Sequence, residues 1–370
     1  MPDGEGPAES SPFPAGSWAA APMSHLPATV KSMTLTVDQL SESELLARIF
    51  PRLHAGTSTI LGPGDDCAII AAPDGRTVIS IDTQVQDKDF RLRWPNGYAT
   101  TGFDVGWKAA AQNLSDINAM GAVATAMVVS LTLPGTTPVS WVEDLADGLS
   151  AAIVALGASS CSVAGGDLSA GSELVVTVAV TGSMEGREPV LRSGARPGDQ
   201  IAVCGSLGMS AAGWALQESR IAPEQYTPAD RNAADLFNRP CPPLAAGPAG
   251  ARAGATAMMD ISDGLLRDAG RMAAASATGL DLDAAVLEDL AAPLTGIAAT
   301  LGADPRQWVL TGGEDHGILS TFPADATLPA GFLRIGSVVS AEAKQPAVTL
   351  SGQNLRSVIS GAVGWDHFAV

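Results

Sequence analysis

From Val123 to Thr181 the chain reads strand, helix, strand, and this alternation constrains its fold more than any other feature. Val123 to Leu133 is an apolar run dense in valine and threonine, about 140–156 carries apolar residues at helical spacing, and Glu173 to Thr181 returns to a strand pattern. Thr77 to Ile81 is a further strand ahead of them, and Gln200 to Cys204 another behind. Elements that alternate in this way bury their apolar faces by laying helices on sheets, so the fold class is α/β (α+β). At 370 residues the chain is too long for one ordinary core and suits two domains. The Gly/Pro-rich, arginine-bearing stretch Arg187 to Asp199 is the natural boundary. The expected division is 1–32 as a disordered extension rich in Pro, Ala, Ser and Gly, 33–186 as an N-terminal domain and 187–370 as a C-terminal α/β domain.

Composition excludes several functions. Lys and Arg number 21 against 39 Asp and Glu, a net charge of -18, which repels nucleic-acid phosphates. With 46% apolar residues the chain is not disordered throughout, and its Ala-rich segments are interrupted by Gly, Asp or Pro, which argues against a membrane span. The start lacks the basic and apolar regions of a signal peptide. The four cysteines are far apart, with neither metal spacing nor a disulfide framework, and read as core residues of a cytoplasmic protein. Four scattered histidines give no support to a Ser-His-Asp triad, and there is no Walker A lysine motif.

The carboxylates carry the chemistry. Asp65-Asp66 sits on the turn Leu61 to Cys67, Asp82 ends the strand that begins at Thr77, and Asp167 follows Gly165-Gly166. A carboxylate pair on a glycine turn is either a solvated tip or a cation site. Asp260 and Asp263 leave the strand Met258 to Ile261, with Ser262 placed to cap the helix that follows. Gly312-Gly313-Glu314 echoes the earlier Gly-Gly-acid. From Asp104 a helical pattern runs through Trp107, Ala110, Leu114 and Ile117, with Lys108, Gln112 and Asp116 on a neighbouring polar stripe flanked by small residues. Distributed hard oxygen ligands without a His or Cys cluster suit Mg²⁺, which is held by one or two carboxylates together with substrate phosphates. Phosphoryl transfer therefore fits better than zinc hydrolysis or a paired-carboxylate glycosidase.

Taken in order, Gly64-Asp65-Asp66-Cys67-Ala68, Ser80-Ile81-Asp82-Thr83, Lys108 through Asn113-Leu114-Ser115-Asp116 to Gly121-Ala122, Gly165-Gly166-Asp167, Arg192-Ser193-Gly194-Ala195, Asp260-Ile261-Ser262-Asp263-Gly264-Leu265, Gly312-Gly313-Glu314-Asp315 and Trp365-Asp366-His367-Phe368 resemble the thiamine-monophosphate kinase family. That family shares a superfamily with aminoimidazole ribonucleotide synthetase and selenophosphate synthetase. The resemblance implies a two-domain fold like that of aminoimidazole ribonucleotide synthetase, and a homodimer whose N-terminal sheets join in a barrel. It also implies ATP- and Mg²⁺-dependent phosphorylation of thiamine monophosphate to thiamine diphosphate. By motif, Asp66, Ser80, the Ile81 carbonyl, Asp82, Asp116, Asp167, Asp260 and Asp263 would hold Mg²⁺, with Asp116, Asp167, Asp260 and Asp263 central to catalysis. Gly166, Asp167, Arg192 and Ser262 would contact ATP, and Asp89, Glu314 and Trp365 would lie at the acceptor. The chain departs from the family pattern at Asp89, where a histidine is common, at His316-Gly317 in place of Tyr-Glu, and at Ala362 in place of an aromatic residue. Asp89 keeps open the alternative of a diverged phosphotransferase acting on another phosphorylated or carboxylated metabolite.

Overall fold

A helix early in the chain shows how local sequence sets structure. In the computed structural model, which describes residues 34–61, 69–341, 347–355 and 363–365, α1 (Glu42–Ile49) begins where the Ser41 hydroxyl accepts a hydrogen bond from the Glu44 amide, and the Ser41 amide in turn donates to the Glu44 carboxylate. The Ser41-x-x-Glu44 spacing is the sequence signature of such a capping box. The expected disordered extension 1–32 and the Asp65-Asp66-Cys67 turn lie outside the described residues.

The N-terminal half holds two sheets. A small hairpin pairs β1 (Thr59–Leu61) with β2 (Ile69–Ile70), and an open four-stranded sheet follows with strand order β3-β6-β4-β5. Its strands are β3 (Val78–Val85), β4 (Val123–Leu133), β5 (Ser162–Ala170) and β6 (Val175–Ser183); β4 and β5 are parallel, the other pairs antiparallel. One face is covered by α2 (Gly102–Ala119) and α3 (Val139–Ala155). These helices touch backbone to backbone: a Cβ on Gly106 would stand 2.1 Å from the Leu145 carbonyl oxygen, and one on Gly148 2.2 Å from that of Phe103. Leu114 and Ile117 of α2 are fully buried against Val176, Val178 and Val180 of β6, each contributing roughly 1.5–3 kcal/mol by burial. The opposite face of this sheet leaves Ile79, Ile81 and Val128 exposed.

The C-terminal half is built on a seven-stranded sheet of order β13-β12-β9-β11-β7-β10-β8. It comprises β7 (Gln200–Cys204), β8 (Ala257–Ile261), β9 (Gly279–Leu282), β10 (Gly317–Phe322), β11 (Leu333–Val339), β12 (Ala347–Leu350) and β13 (Gln353–Asn354). Its helices are α4 (Met209–Glu218), α5 (Pro228–Asn238), α6 (Ala246–Arg252), α7 (Leu265–Ser276), α8 (Ala284–Ala291), α9 (Thr295–Leu301) and α10 (Pro305–Thr311). The stretch 228–248, which reads as Pro-interrupted, contains all of α5 and the start of α6, because Pro228 occupies the first helical position, where its missing N–H costs nothing, and Thr227 caps it.

The halves meet along α2. Asn118 accepts from the Gly247 amide at 2.8 Å, Trp107 donates to the Pro240 carbonyl at 2.9 Å, and buried Asp104 pairs with Arg239 at 2.7 Å. Among the described residues one helical run, Ala284–Leu301, has the length and hydropathy of a membrane span; a 3₁₀ turn at Ala292–Leu294 interrupts it, and Leu287, Leu294 and Ile297 point into the core. Cys161 and Cys204 are buried as expected, but Cys241 is exposed.

Several sequence expectations need correction. Asp82 lies inside β3 rather than at its end, because the strand pattern continues through Thr83 to Val85. Gly165-Gly166-Asp167 lies within β5, where Gly166 lets the Val129 carbonyl oxygen come within 2.1 Å of a would-be Cβ, whereas Gly312-Gly313-Glu314 is a loop after α10; the echo is one of composition only. Ser262 does not cap α7. The amides of Ser262 and Asp263 donate instead to buried Asp268, at 3.1 and 3.0 Å, and Gly264 turns the chain at φ +109°, where a side chain would strike Thr311.

Candidate functional site

Strand alternation puts Ser80, Asp82 and Gln84 on the face of β3 that meets α2, away from exposed Ile79 and Ile81. On α2, Lys108, Gln112 and Asp116 recur every four residues and so form a stripe facing that strand and the C-terminal half. Ser80 Oγ donates to Asp116 Oδ2 at 2.5 Å, and Gln84 donates to Gln112 at 2.9 Å. From the other side, β8 delivers Asp260, the loop after it Ser262 and Asp263, and the loop after α10 Gly312 to His316. These elements enclose a cleft of about 490 Å³.

The cleft has two ends of different chemistry. At one end Asp82, Asp116, Asp260 and Asp263 approach one another, with Asp89 nearby. Burial lifts the Asp116 carboxyl to about 7, and the charges of Asp260 and Asp82 add to that; the Ser80 hydrogen bond opposes the rise without cancelling it. Burial likewise raises Asp82, reinforced by Asp260, Asp263 and Asp89. His316, in left-handed backbone at φ +53°, stands 3.6 Å from Asp260, an ion-pair rather than a hydrogen-bond distance. Burial alone would lower its pKa, but Asp260, Glu314 and Asp116 outweigh that and raise it.

At the other end Trp94, Phe237 and Glu314 line the cleft, and Trp214, Trp308, Trp365 and Lys88 are also on its wall. Trp94 and Phe237 meet edge to face at 5.4 Å. Lys108, buried beneath, sets its ammonium 4.0 Å from the Phe237 ring centre and 2.9 Å from Glu314 Oε2. The Trp365 amide donates to the Asp263 carbonyl, which joins the segment 363–365 to the rim.

Of the residues singled out by sequence, Asp82, Asp116, Asp260, Asp263, Ser262, Asp89, Glu314 and Trp365 line this one cleft. Ser80 supports it through Asp116. Gly166, Asp167 and Arg192 are exposed and do not line it; Asp167 accepts from Ser169 at 3.0 Å. Asp66 lies outside the described residues. Asp263 is also held by Arg271 at 2.6 Å, a partner that pattern alone did not indicate. Among the described residues no three His, Cys, Asp or Glu side chains converge tightly enough to hold an ion unaided. The upward shift of Asp116 marks a group of carboxylates whose mutual repulsion a cation would relieve.

Asp89 is anchored by its turn: its carboxylate accepts from the Val85 amide at 2.7 Å while its own amide donates to the Val85 carbonyl. Trp94, Trp214, Trp308, Phe237 and Lys108 were missed as site residues. Lys108 was legible only as one member of the polar stripe of α2, and nothing in the sequence says that the distant rings meet.

Residues 64–184 match the family described as AIR synthase related protein, N-terminal domain, and residues 196–310 match AIR synthase related protein, C-terminal domain. A protein from Mycobacterium tuberculosis named thiamine-monophosphate kinase is 43% identical over 336 residues, which cover 90% of this chain and 93% of that one. The chain belongs to the thiamine-monophosphate kinase family. The Corynebacterium glutamicum thiamine-monophosphate kinase is 37% identical over 308 residues, 82% of this chain and 87% of that one. A solved member of the same family, described as AaThiL complexed with AMPPCP and TMP, superposes with a TM-score of 0.68 at 29% identity, covering 91% of this chain and 100% of that one. The expected α/β architecture of the aminoimidazole ribonucleotide synthetase type is therefore the fold observed.

Proposed function

We propose that the chain transfers the γ-phosphoryl group of ATP to the phosphate of thiamine monophosphate, giving thiamine diphosphate by direct in-line transfer. The observation that carries this reading is the division of one cleft into a carboxylate end and an aromatic end, in a chain 43% identical to a thiamine-monophosphate kinase. A family member complexed with AMPPCP, a non-transferring ATP analogue, and TMP supports the same pair of ligands.

The acceptor phosphate is already ionised near neutral pH, so the chemistry needs no strong base; the difficulty lies in bringing two anions together and in line. Mg²⁺, when bound, neutralises the polyphosphate and the growing charge on its oxygens. Asp82, Asp116 and Asp260 are the described carboxylates we assign to the metal, with Asp263 beside them and the Ile81 carbonyl and Asp66 completing the set by motif. Ser80 fixes the Asp116 carboxylate in one orientation. Ser262, on the cleft wall, is assigned to ATP; Gly166, Asp167 and Arg192 keep that assignment by motif. The aromatic end is suited to a flat heteroaromatic acceptor, with Glu314 on its wall; Asp89 and Trp365, nearer the carboxylates, keep their acceptor assignment by motif.

We further place the domain division at 33–186 and 187–370, and the protein in the cytoplasm as a homodimer free of nucleic acid and membrane. The apolar face bearing Ile79, Ile81 and Val128 is the surface a second copy would cover to close a barrel. The test is to incubate purified protein with ATP, Mg²⁺ and thiamine monophosphate and to assay thiamine diphosphate. Product is expected; nucleotide binding without product would instead support a phosphotransferase with a different acceptor.

A further inference from the structure

One buried charge has no task in the scheme above. Lys108 is 4% exposed at the middle of α2, whereas Lys88 on the cleft rim is exposed. A lysine is rarely buried this deeply without a counter-charge. Glu314 supplies it at 2.9 Å, and the Phe237 ring lies 4.0 Å from the ammonium on another side.

Glu314 is itself unusual. Its backbone is left-handed at φ +65°, a conformation that costs a non-glycine residue about 1–2 kcal/mol. Hydrogen bonds hold it there: its amide donates to the Ser262 carbonyl at 2.8 Å, its carbonyl accepts from Ser210 Oγ at 2.9 Å, and two residues on the His316 amide donates to Ile261. The backbone thus presents the side chain to the cleft, and Lys108 takes one carboxylate oxygen. Here the carboxylate stays 37% exposed on the wall of the cleft, and Lys108 is its one ion-pair or hydrogen-bond partner among the described residues. A carboxylate offers about four acceptor positions, so capacity remains for a ligand.

We propose that Lys108 is a positioning residue: it aims the Glu314 carboxylate at a hydrogen-bond donor on the heteroaromatic end of the acceptor, and the Phe237–Lys108–Glu314 unit thereby sets acceptor selectivity. This rests on the functional reading above and adds to it a residue that touches neither nucleotide nor phosphate. Because Lys108 lies two helical turns before Asp116 on the same stripe, one helix orients both ends of the cleft.

The experiment compares Lys108→Met, Lys108→Arg, Glu314→Gln and the Lys108→Met/Glu314→Gln double variant by steady-state kinetics, with thermal melts as a check on folding. Lys108→Met should raise KM for thiamine monophosphate about tenfold while KM for ATP moves less than about twofold. Glu314→Gln should do the same, and the double variant should be no worse than the poorer single, the mark of two groups acting as one unit. Lys108→Arg, which keeps the charge, should recover most of the acceptor KM. Equal rises in both KM values, multiplying effects in the double variant, or an unchanged acceptor KM in Lys108→Met and Glu314→Gln would overturn the proposal. If Lys108→Met does not fold, Glu314→Gln and Lys108→Arg decide it on the same criteria. Wild-type turnover tests the functional reading separately; with an inactive wild type, calorimetric binding of thiamine is compared instead, and equal affinity in wild type and Lys108→Met overturns the positioning role.

Discussion

The two ends of the cleft handle charge in opposite ways. At the aromatic end the buried cation Lys108 is matched by Glu314 on the cleft wall, so that pair is neutral before a ligand arrives. At the other end Asp82, Asp116 and Asp260 crowd together with His316 as the neighbouring base, and burial, reinforced by Asp260 and Asp82, lifts Asp116 to about 7. The proposed ion and ring compartments therefore differ in how their charge is balanced before any ligand arrives. A like-charge cluster that is unfavourable alone becomes favourable when a divalent cation and phosphates arrive, whereas a neutralised, aromatic compartment gains little from either.

The largest effect should come from breaking the acidic end. Asp116→Asn should lower kcat on the order of a thousandfold, the scale seen when one preorganised electrostatic group is removed. The same variant should not be less stable. A carboxyl whose folded pKa is raised from 3.8 to about 7 binds its proton more tightly in the folded state, so its contribution to stability is present below about 4 and is lost as pH rises through 7. Ligand-free wild type should therefore melt lower at pH 8 than at pH 5.5 on account of this group, and Asp116→Asn should lessen that difference. A near-normal kcat, or a marked loss of stability at pH 8, would remove the argument for a strained cation site.

Next in size, Trp214→Ala should raise KM for thiamine monophosphate about tenfold, roughly 1.4 kcal/mol, and leave KM for ATP nearly unchanged. Trp214 is 45% exposed at the cleft wall, so the substitution leaves the core intact. A larger change in KM for ATP would mean that the aromatic end belongs to the nucleotide. The smallest effect is expected at Asp89. Asp89→Asn keeps an oxygen to accept from the Val85 amide but removes a negative charge near the acceptor, and it should lower KM for thiamine monophosphate about twofold to threefold, the scale of a partly screened charge. An unchanged or higher KM would show that Asp89 serves the turn alone.

Much of this arrangement was legible in the sequence because it depends on periodicity. The strand from Val123 to Leu133 coincides with β4, the four-residue spacing of Lys108, Gln112 and Asp116 does form one stripe, and Ser41-x-x-Glu44 does cap a helix. What periodicity does not encode is contact between distant segments. Lys108 and Glu314 are far apart in the chain, so the polar stripe of α2 could not be told from a solvated one until the loop after α10 was seen against it. Asp82 looked like a strand end because an acid commonly closes a strand, yet the partner strand β6 carries pairing on to Val85. Asp268 was overlooked for a related reason: it caps from inside the helix, reaching back to the amides of Ser262 and Asp263, and no pattern of N-terminal residues announces that.

A cleft with a metal-dependent polyphosphate end and a metal-independent aromatic end should separate its two ligands by their need for Mg²⁺. The most direct test is calorimetric titration of AMPPCP and, separately, of thiamine without its phosphate, each in Mg²⁺ and in EDTA. AMPPCP should bind only in Mg²⁺, and thiamine should bind equally in both. Retained AMPPCP binding in EDTA, or thiamine binding lost with the metal, would contradict that separation.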